Sequence, residues 1–109
     1  MDANGIKYKI KTAPEEAIFI HLQACDADFF PRLTERVDIR AYSYKIFKRA
    51  ATFEAWMGNR LVGLVAAYCT SSNSMFITDV SVLSEFMNFG VASTLLESCI
   101  QYALSLIHI

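Results

Sequence analysis

Met75-Phe76-Ile77-Thr78-Asp79-Val80-Ser81-Val82-Leu83 runs directly into Ser84-Glu85-Phe86-Met87-Asn88-Phe89-Gly90-Val91-Ala92. The first segment is apolar at nearly every position after Asp79, the pattern of a central strand covered on both faces. The second is a turn passing into a helix, whose buried stripe is expected at Ala92, Leu95, Leu96, Cys99 and Ala103. A strand, a glycine turn and a helix in this order bring unsatisfied N–H groups and the positive end of a helix dipole to one point, which suits an anion. The turn is not a P-loop, because no Lys-Ser or Lys-Thr follows, and it lacks the three glycines of a dinucleotide fingerprint. Alone, it reads equally as a plain helix start where small residues permit close packing.

Upstream lies more sheet. Ala51 to Met57 alternates Phe53 and Ala55 against Thr52, Glu54 and Trp56, and Gly58-Asn59 is a two-residue hairpin signal before the apolar run Leu61 to Cys69. Thr70 to Ser74 is a loop by composition. At the start of the chain, Ile6 to Lys11 alternates apolar and basic residues, which predicts a strand with one buried face. Thr12-Ala13-Pro14-Glu15 matches a capping box for a helix over Pro14 to Cys25. That helix carries Ala17, Ile18, His21, Leu22 and Cys25 on its buried side, and His21 is expected there as a packed core histidine rather than a catalytic one. Asp26 to Pro31 is irregular. Asp38, between Val37 and Tyr42, reads as an N-cap with a hydrophobic staple for a second helix over Ile39 to Ala50, burying Ile39, Tyr42, Ile46, Phe47 and Ala50.

Composition bounds the function. The 109 residues suit one domain, and 54% hydrophobic against 19% charged residues excludes a disordered chain. Ten basic and eleven acidic residues give a net charge of -1, which supplies no field for nucleic acid. The longest apolar run, Leu61 to Cys69, is about half of what a bilayer crossing needs, so no membrane partner is expected. Cys25, Cys69 and Cys99 are odd in number and set in apolar surroundings, which suits reduced core thiols and a cytoplasmic protein, with no metal site. Met1-Asp2-Ala3-Asn4 lacks the basic and apolar regions of a signal peptide.

The order strand, helix, helix, two hairpin strands, apolar strand, glycine turn and helix resembles the first two-thirds of a GNAT-family N-acetyltransferase. The resemblance runs from about Ile6 to Ala103. It is densest at Phe53-Glu54-Ala55-Trp56, Asn59 to Ala66, Ile77 to Leu83 and Gly90-Val91-Ala92. It implies an α/β fold, a mixed and mostly antiparallel sheet with helices on both faces, incomplete at its C-terminus. It also implies an enzyme that moves an acetyl group from acetyl-CoA to the amine of a small molecule or peptide. In that family the turn, with Arg or Gln three residues ahead of its first glycine, holds the pyrophosphate of acetyl-CoA. Gly90 and Ala92 match this pattern. Met87 stands where Arg or Gln is usual, and Phe89 where relatives often carry a basic residue. By this resemblance Asn88, Phe89, Gly90, Val91 and Ala92 are the cofactor-binding turn, and Val80, Ser81 and Val82 pair with the pantetheine arm and polarise the thioester carbonyl. Asp79, the sole acid in its strand, then either takes the amine's proton directly or through water, or only orients substrate or pairs with a neighbouring loop. A tyrosine from a later helix, which protonates the departing thiolate in the family, has no counterpart here.

A non-catalytic acyl-CoA-binding or protein-interaction domain is the different reading, which Met87 and Phe89 favour. Phe29-Phe30-Pro31 and Tyr42-x-Tyr44 either shape an acceptor pocket or pack the core. Arg32, Arg36, Arg40, Lys45, Lys48 and Arg49 either form a solvated face or attract an acidic acceptor. Leu104 to Ile109 matches the translation of a transposon end used as a sequencing adapter, so the domain is read over residues 1–103 and residues 104–109 as a scar. The alternative for those six residues is the natural end of the helix and the start of a fifth strand. On either reading His108 is not catalytic. A strand from Met75 to Leu83 with one unpaired edge is expected to draw in a second copy, giving a homodimer or aggregate.

Overall fold

Ile6–Ile10 forms strand β1, antiparallel to β2 (Ala51–Met57), which pairs with β3 (Arg60–Ser71), which in turn pairs with β4 (Ser74–Val82). The sheet order is β1-β2-β3-β4. The computed structural model describes residues 5–71 and 74–106, so the readings of Met1 to Asn4, of the loop residues Ser72 and Asn73, and of Ile107, His108 and Ile109 lie outside them. Gly58 and Asn59 make the two-residue turn between β2 and β3, with Gly58 at φ +62, a left-handed conformation in which glycine carries no Cβ penalty.

Helices α1 (Glu15–Cys25) and α2 (Ile39–Arg49) cover one face, and α3 (Val91–Leu106) covers the other. One core packs Ile18, Leu22 and Ile46 against Leu64, and the other packs Leu95 and Val91 against Phe53, Val62 and Val65. The two middle strands are therefore buried on both sides. The alternation read in β2 does not mark an exposed face: Glu54 is fully buried. Its carboxylate accepts from the backbone N–H groups of Thr12 (2.9 Å) and Ala13 (3.0 Å), from Trp56 Nε1–H (3.0 Å), and from the hydroxyls of Thr12 and Thr52. Thr12 thus points at β2 instead of capping α1, whose N-cap is Pro14 with no side-chain bond.

Asp38 does cap α2, its Oδ1 accepting from Ala41 N–H at 3.2 Å. Phe47 is 46% exposed, because Ser43 and Ile46 occupy the buried stripe instead. In β1 only Ile6 is buried. Tyr8 and Ile10 remain exposed because β1 is an edge strand and α3 packs mainly over β2, β3 and β4. β4 is likewise an edge, not a central strand, among the described residues. Cys25 and Cys99 are buried, whereas Cys69, near the end of β3, is exposed. Thr70, Ser71 and Ser74 belong to strands rather than a loop. No helix among the described residues is long and apolar enough to cross a membrane.

Gly63 sets how α3 meets the sheet. A Cβ there would lie 2.6 Å from Val91 Cγ1 and 3.2 Å from Leu95, so any side chain would lift the start of α3 off β3. Because Gly63 pairs with Val82, this close approach also brings the first turn of α3 beside the end of β4.

Candidate active site

β4 breaks its pairing with β3 next to Thr78: Asp79 faces Ala66 and Ile77 faces Ala67, so Thr78 has no opposite number. An extra residue of this kind bends a strand and redirects its groups. The Thr78 carbonyl accepts from the Tyr42 hydroxyl of α2 at 2.8 Å, and Thr78 Oγ1 lies 2.9 Å from the same hydroxyl. Tyr42 is half-buried, and burial pushes its phenol up to about 12, so it holds the bulge as a neutral group.

Asp79 follows the bulge and points into the α1–α2 side, 4% exposed. Oδ2 accepts from Ser81 Oγ–H at 2.8 Å, while Oδ1 is buried with no hydrogen-bond partner among the described residues. Burial pushes the carboxyl up to about 6, against the opposing pull of the Ser81 hydroxyl and the charge of Arg36. Ser81 Oγ in turn lies 2.9 Å from His21 Nε2, and His21 Nδ1 lies 3.0 Å from the Leu61 carbonyl. His21 is a buried, hydrogen-bonded core histidine as expected from its helical position, and burial lowers it to about 4.

Beyond β4, Phe86 is buried and anchors a short 3-10 turn over Ser84–Phe86. Asn88 (φ +73) and Gly90 (φ +75) are both left-handed and swing the chain into α3. The first bond within α3 runs from Thr94 N–H to the Gly90 carbonyl (3.0 Å), so the N–H groups of Val91, Ala92 and Ser93 have no intrahelical acceptor. Between this turn and the end of β4 lies a cleft of about 490 Å³. Val80, Ser81 and Val82 line one side; Met87, Asn88 and Gly90 to Ser93 line the other. Of the residues singled out for cofactor binding, only Phe89 is absent from its walls, because its side chain packs on the core instead.

A smaller cavity of about 130 Å³ adjoins the cleft through Val80, Ser81, Val82 and Met87, and is closed by Cys25, Asp28 and Phe29. Asp79 lines neither space and meets the small cavity only through Ser81. Phe29 contributes to this wall, whereas Phe30 is fully exposed and Tyr44 faces solvent, and neither lines the cleft or the small cavity. Sequence reasoning missed Asp28, which sits in a segment with no periodicity, and missed the link from Ser81 to His21. The i, i+2 spacing of Asp79 and Ser81 on one strand face was the available signal for the first half of that link. The basic region is partly paired: Arg32 bridges Asp26 at 2.9 Å, and Arg40 bridges Glu16 at 3.0 Å while stacking on Phe19.

The fold is shared with solved acetyltransferases. An aminoglycoside acetyltransferase from an uncultured soil metagenomic sample, solved with sisomicin, superposes with a TM-score of 0.66 at 20% identity, covering 94% of this chain and 72% of that one. A GNAT-family acetyltransferase from Streptococcus pneumoniae gives 0.69 at 17% identity over 95% and 71%. A probable acetyltransferase from meticillin-resistant Staphylococcus aureus gives 0.73 at 16% identity over 94% and 72%. No curated protein matches the chain. The family model described as the acetyltransferase (GNAT) family matches residues 16–109, which takes in both cavity walls and all three helices but for the first residue of α1, and the chain belongs to that family.

Proposed function

We propose that the chain binds acetyl-CoA between β4 and the start of α3 and transfers its acetyl group to an amine held in the small cavity. The carrying observation is the cleft of about 490 Å³, walled on one side by a strand edge with no neighbour among the described residues and on the other by the amide groups that open α3. A strand edge offers N–H and C=O groups to an amide-bearing arm, and helix-start amides offer donors to a pyrophosphate, so the residues present fit the molecule. Acetyl-CoA supplies the activated thioester. Val80 to Val82 orient it by backbone pairing, an amide there polarises the carbonyl, and Asp79 takes the amine's proton by way of the Ser81 hydroxyl or a water. Asp28, an exposed carboxylate on the cavity wall, suits an approaching cationic amine. A cytoplasmic location fits an acetyl-CoA user of this composition.

Met87 is the mark against tight binding. It lies exposed at the junction of the two spaces, and an uncharged side chain there forgoes a charge-assisted bond to phosphate of about 1.5 to 3 kcal/mol. That observation favours a second reading, an acyl-CoA-binding domain without turnover, which release of free CoA thiol from acetyl-CoA in the presence of sisomicin or a peptide amine would rule out.

Binding is tested by calorimetry with CoA at low salt. Gly90→Ala meets open space but pays for a positive φ, so it should weaken binding modestly. Gly90→Glu adds a carboxylate beside the amide groups and should abolish binding. Equal affinity for Gly90→Ala and Gly90→Glu would remove the anion site from the turn. The exposed β4 residues Phe76 and Ile77 favour self-association along the same strand, and size-exclusion chromatography over a concentration series should show it; a monomer throughout would refute it.

A further inference from the structure

Three side chains from two distant segments share too few hydrogens. The Leu61 carbonyl can only accept, so His21 Nδ1 carries its ring hydrogen there and Nε2 is left as an acceptor. Ser81 Oγ lies 2.9 Å from Nε2 and 2.8 Å from Asp79 Oδ2, with one hydrogen to give. When Asp79 is ionised and His21 neutral, that hydrogen satisfies only one neighbour, and two lone pairs face each other at the remaining contact. Turning the ring to its other tautomer moves the same conflict to the Leu61 carbonyl. One added proton ends it: Asp79 Oδ2–H donates to Ser81, Ser81 donates to His21 Nε2, and His21 Nδ1–H donates to Leu61.

We propose that His21 is a positioning residue of the transfer site, which by contesting the Ser81 hydroxyl with Asp79 makes Asp79 hold a proton more firmly than burial alone would. This rests on the reading of Asp79 as the base. The device strengthens that base, since a carboxyl that binds its proton nearer neutral pH accepts one from an amine more readily. The balance closes with the transfer: the amine nitrogen bonds to the acetyl carbon as the C–S bond breaks and CoA leaves as its thiolate. The amine's proton arrives at Asp79 by way of Ser81 while the Ser81 hydroxyl turns from Asp79 to His21, and the same path returns that proton to solvent, from which the thiolate takes its own. No net change in the trio remains.

The other titratable groups around it do not supply the missing hydrogen. Cys25 Sγ is 3.7 Å from His21 Nε2, but a thiol is a weak donor and leaves the 2.9 Å oxygen–nitrogen contact in place. Tyr42 spends its hydroxyl on Thr78. Arg36 acts on Asp79, Arg60 on His21 and Asp28 on Cys25 through space, without a hydrogen bond to the trio.

The test is the titration of Asp79 followed by carboxyl carbon NMR or infrared difference spectroscopy on the whole chain, beside the pH profile of acetyl transfer. His21→Phe frees the Ser81 hydrogen for Asp79 and should move the titration down by about one pH unit. Ser81→Ala takes away the carboxylate's only donor among the described residues and should move it up by a similar amount, about one unit. A group that merely fills space would not give opposite signs. Movement in the same direction, or none, overturns the relay. Opposite movement with an unmoved rate profile upholds the relay and overturns Asp79 as the base. Should His21→Phe fail to fold, ring nitrogen shifts of the unaltered protein decide: hydrogen on Nδ1 with a bare Nε2 at neutral pH upholds the arrangement, and hydrogen on Nε2 overturns it.

Discussion

Asp79→Asn is expected to lower kcat for acetyl transfer by about a hundred- to ten-thousand-fold, the range for losing a general base. The variant keeps the size and shape of the side chain and lies outside the walls of the cleft, so CoA affinity should hardly change. The sign of the pH effect follows from the buried carboxyl. The base works ionised, its proton affinity is raised to about 6, and the rate of the unaltered protein should therefore fall as pH drops through about 6. In Asp79→Asn that acidic limb should vanish, because nothing at this position titrates. A full set of pH–rate profiles checks both parts. An unaltered profile with unaltered kcat would leave Asp79 as an orienting residue and move the proton to water.

Glu54→Ala is expected to be the most damaging single change to stability. The carboxylate is fully buried and satisfies five donors on two segments of chain, Thr12-Ala13 and β2 itself. The two hydroxyls can turn elsewhere, but the N–H groups of Thr12, Ala13 and Trp56 cannot. Each donor left unsatisfied costs about 1 to 3 kcal/mol, so the three together cost about 3 kcal/mol or more. Against a net stability of about 5 to 15 kcal/mol, that is enough to halve it or unfold the chain. Urea denaturation should show a lower midpoint for Glu54→Ala and an intermediate one for Glu54→Gln, whose amide keeps one acceptor. A midpoint for Glu54→Ala equal to that of the unaltered chain would show that water reaches this network.

Periodicity carried most of the fold. The β2–β3 hairpin, the three helices, the Asp38 cap and the glycine turn into α3 were all legible, because each depends on neighbours within a few residues. The failures share a cause. The alternation of Phe53 and Ala55 against Thr52, Glu54 and Trp56 left the burial of Glu54 unread, because one strand's pattern does not reveal that helices cover both sides of the sheet. Thr12 matched a capping box, but the donors it could satisfy locally were outweighed by an acceptor on β2. Tyr8 and Ile10 read as buried because alternation does not say where α3 packs. The strand, turn and helix that wall the cleft were legible as elements, and the Phe89 side chain within that turn packs on the core. The trio of His21, Ser81 and Asp79 was legible only in part: Asp79 stood out as a lone acid, while His21 arrives from a helix far away in sequence.

The sheet's connectivity also distributes the entropy of folding unevenly. The pairings β2–β3 and β3–β4 join strands that follow one another, so each closes a short stretch of chain. The pairing of β1 with β2 instead encloses α1 and α2 and closes a long loop, whose entropic cost grows with length and must be met before any contact repays it. Residues Thr12 and Ala13, which follow β1, are the ones Glu54 grips. The buried carboxylate thus acts as a latch on the non-local strand pairing, and a chain in which the meander has formed but the latch is open would carry α1, and His21 with it, away from Ser81 and Asp79.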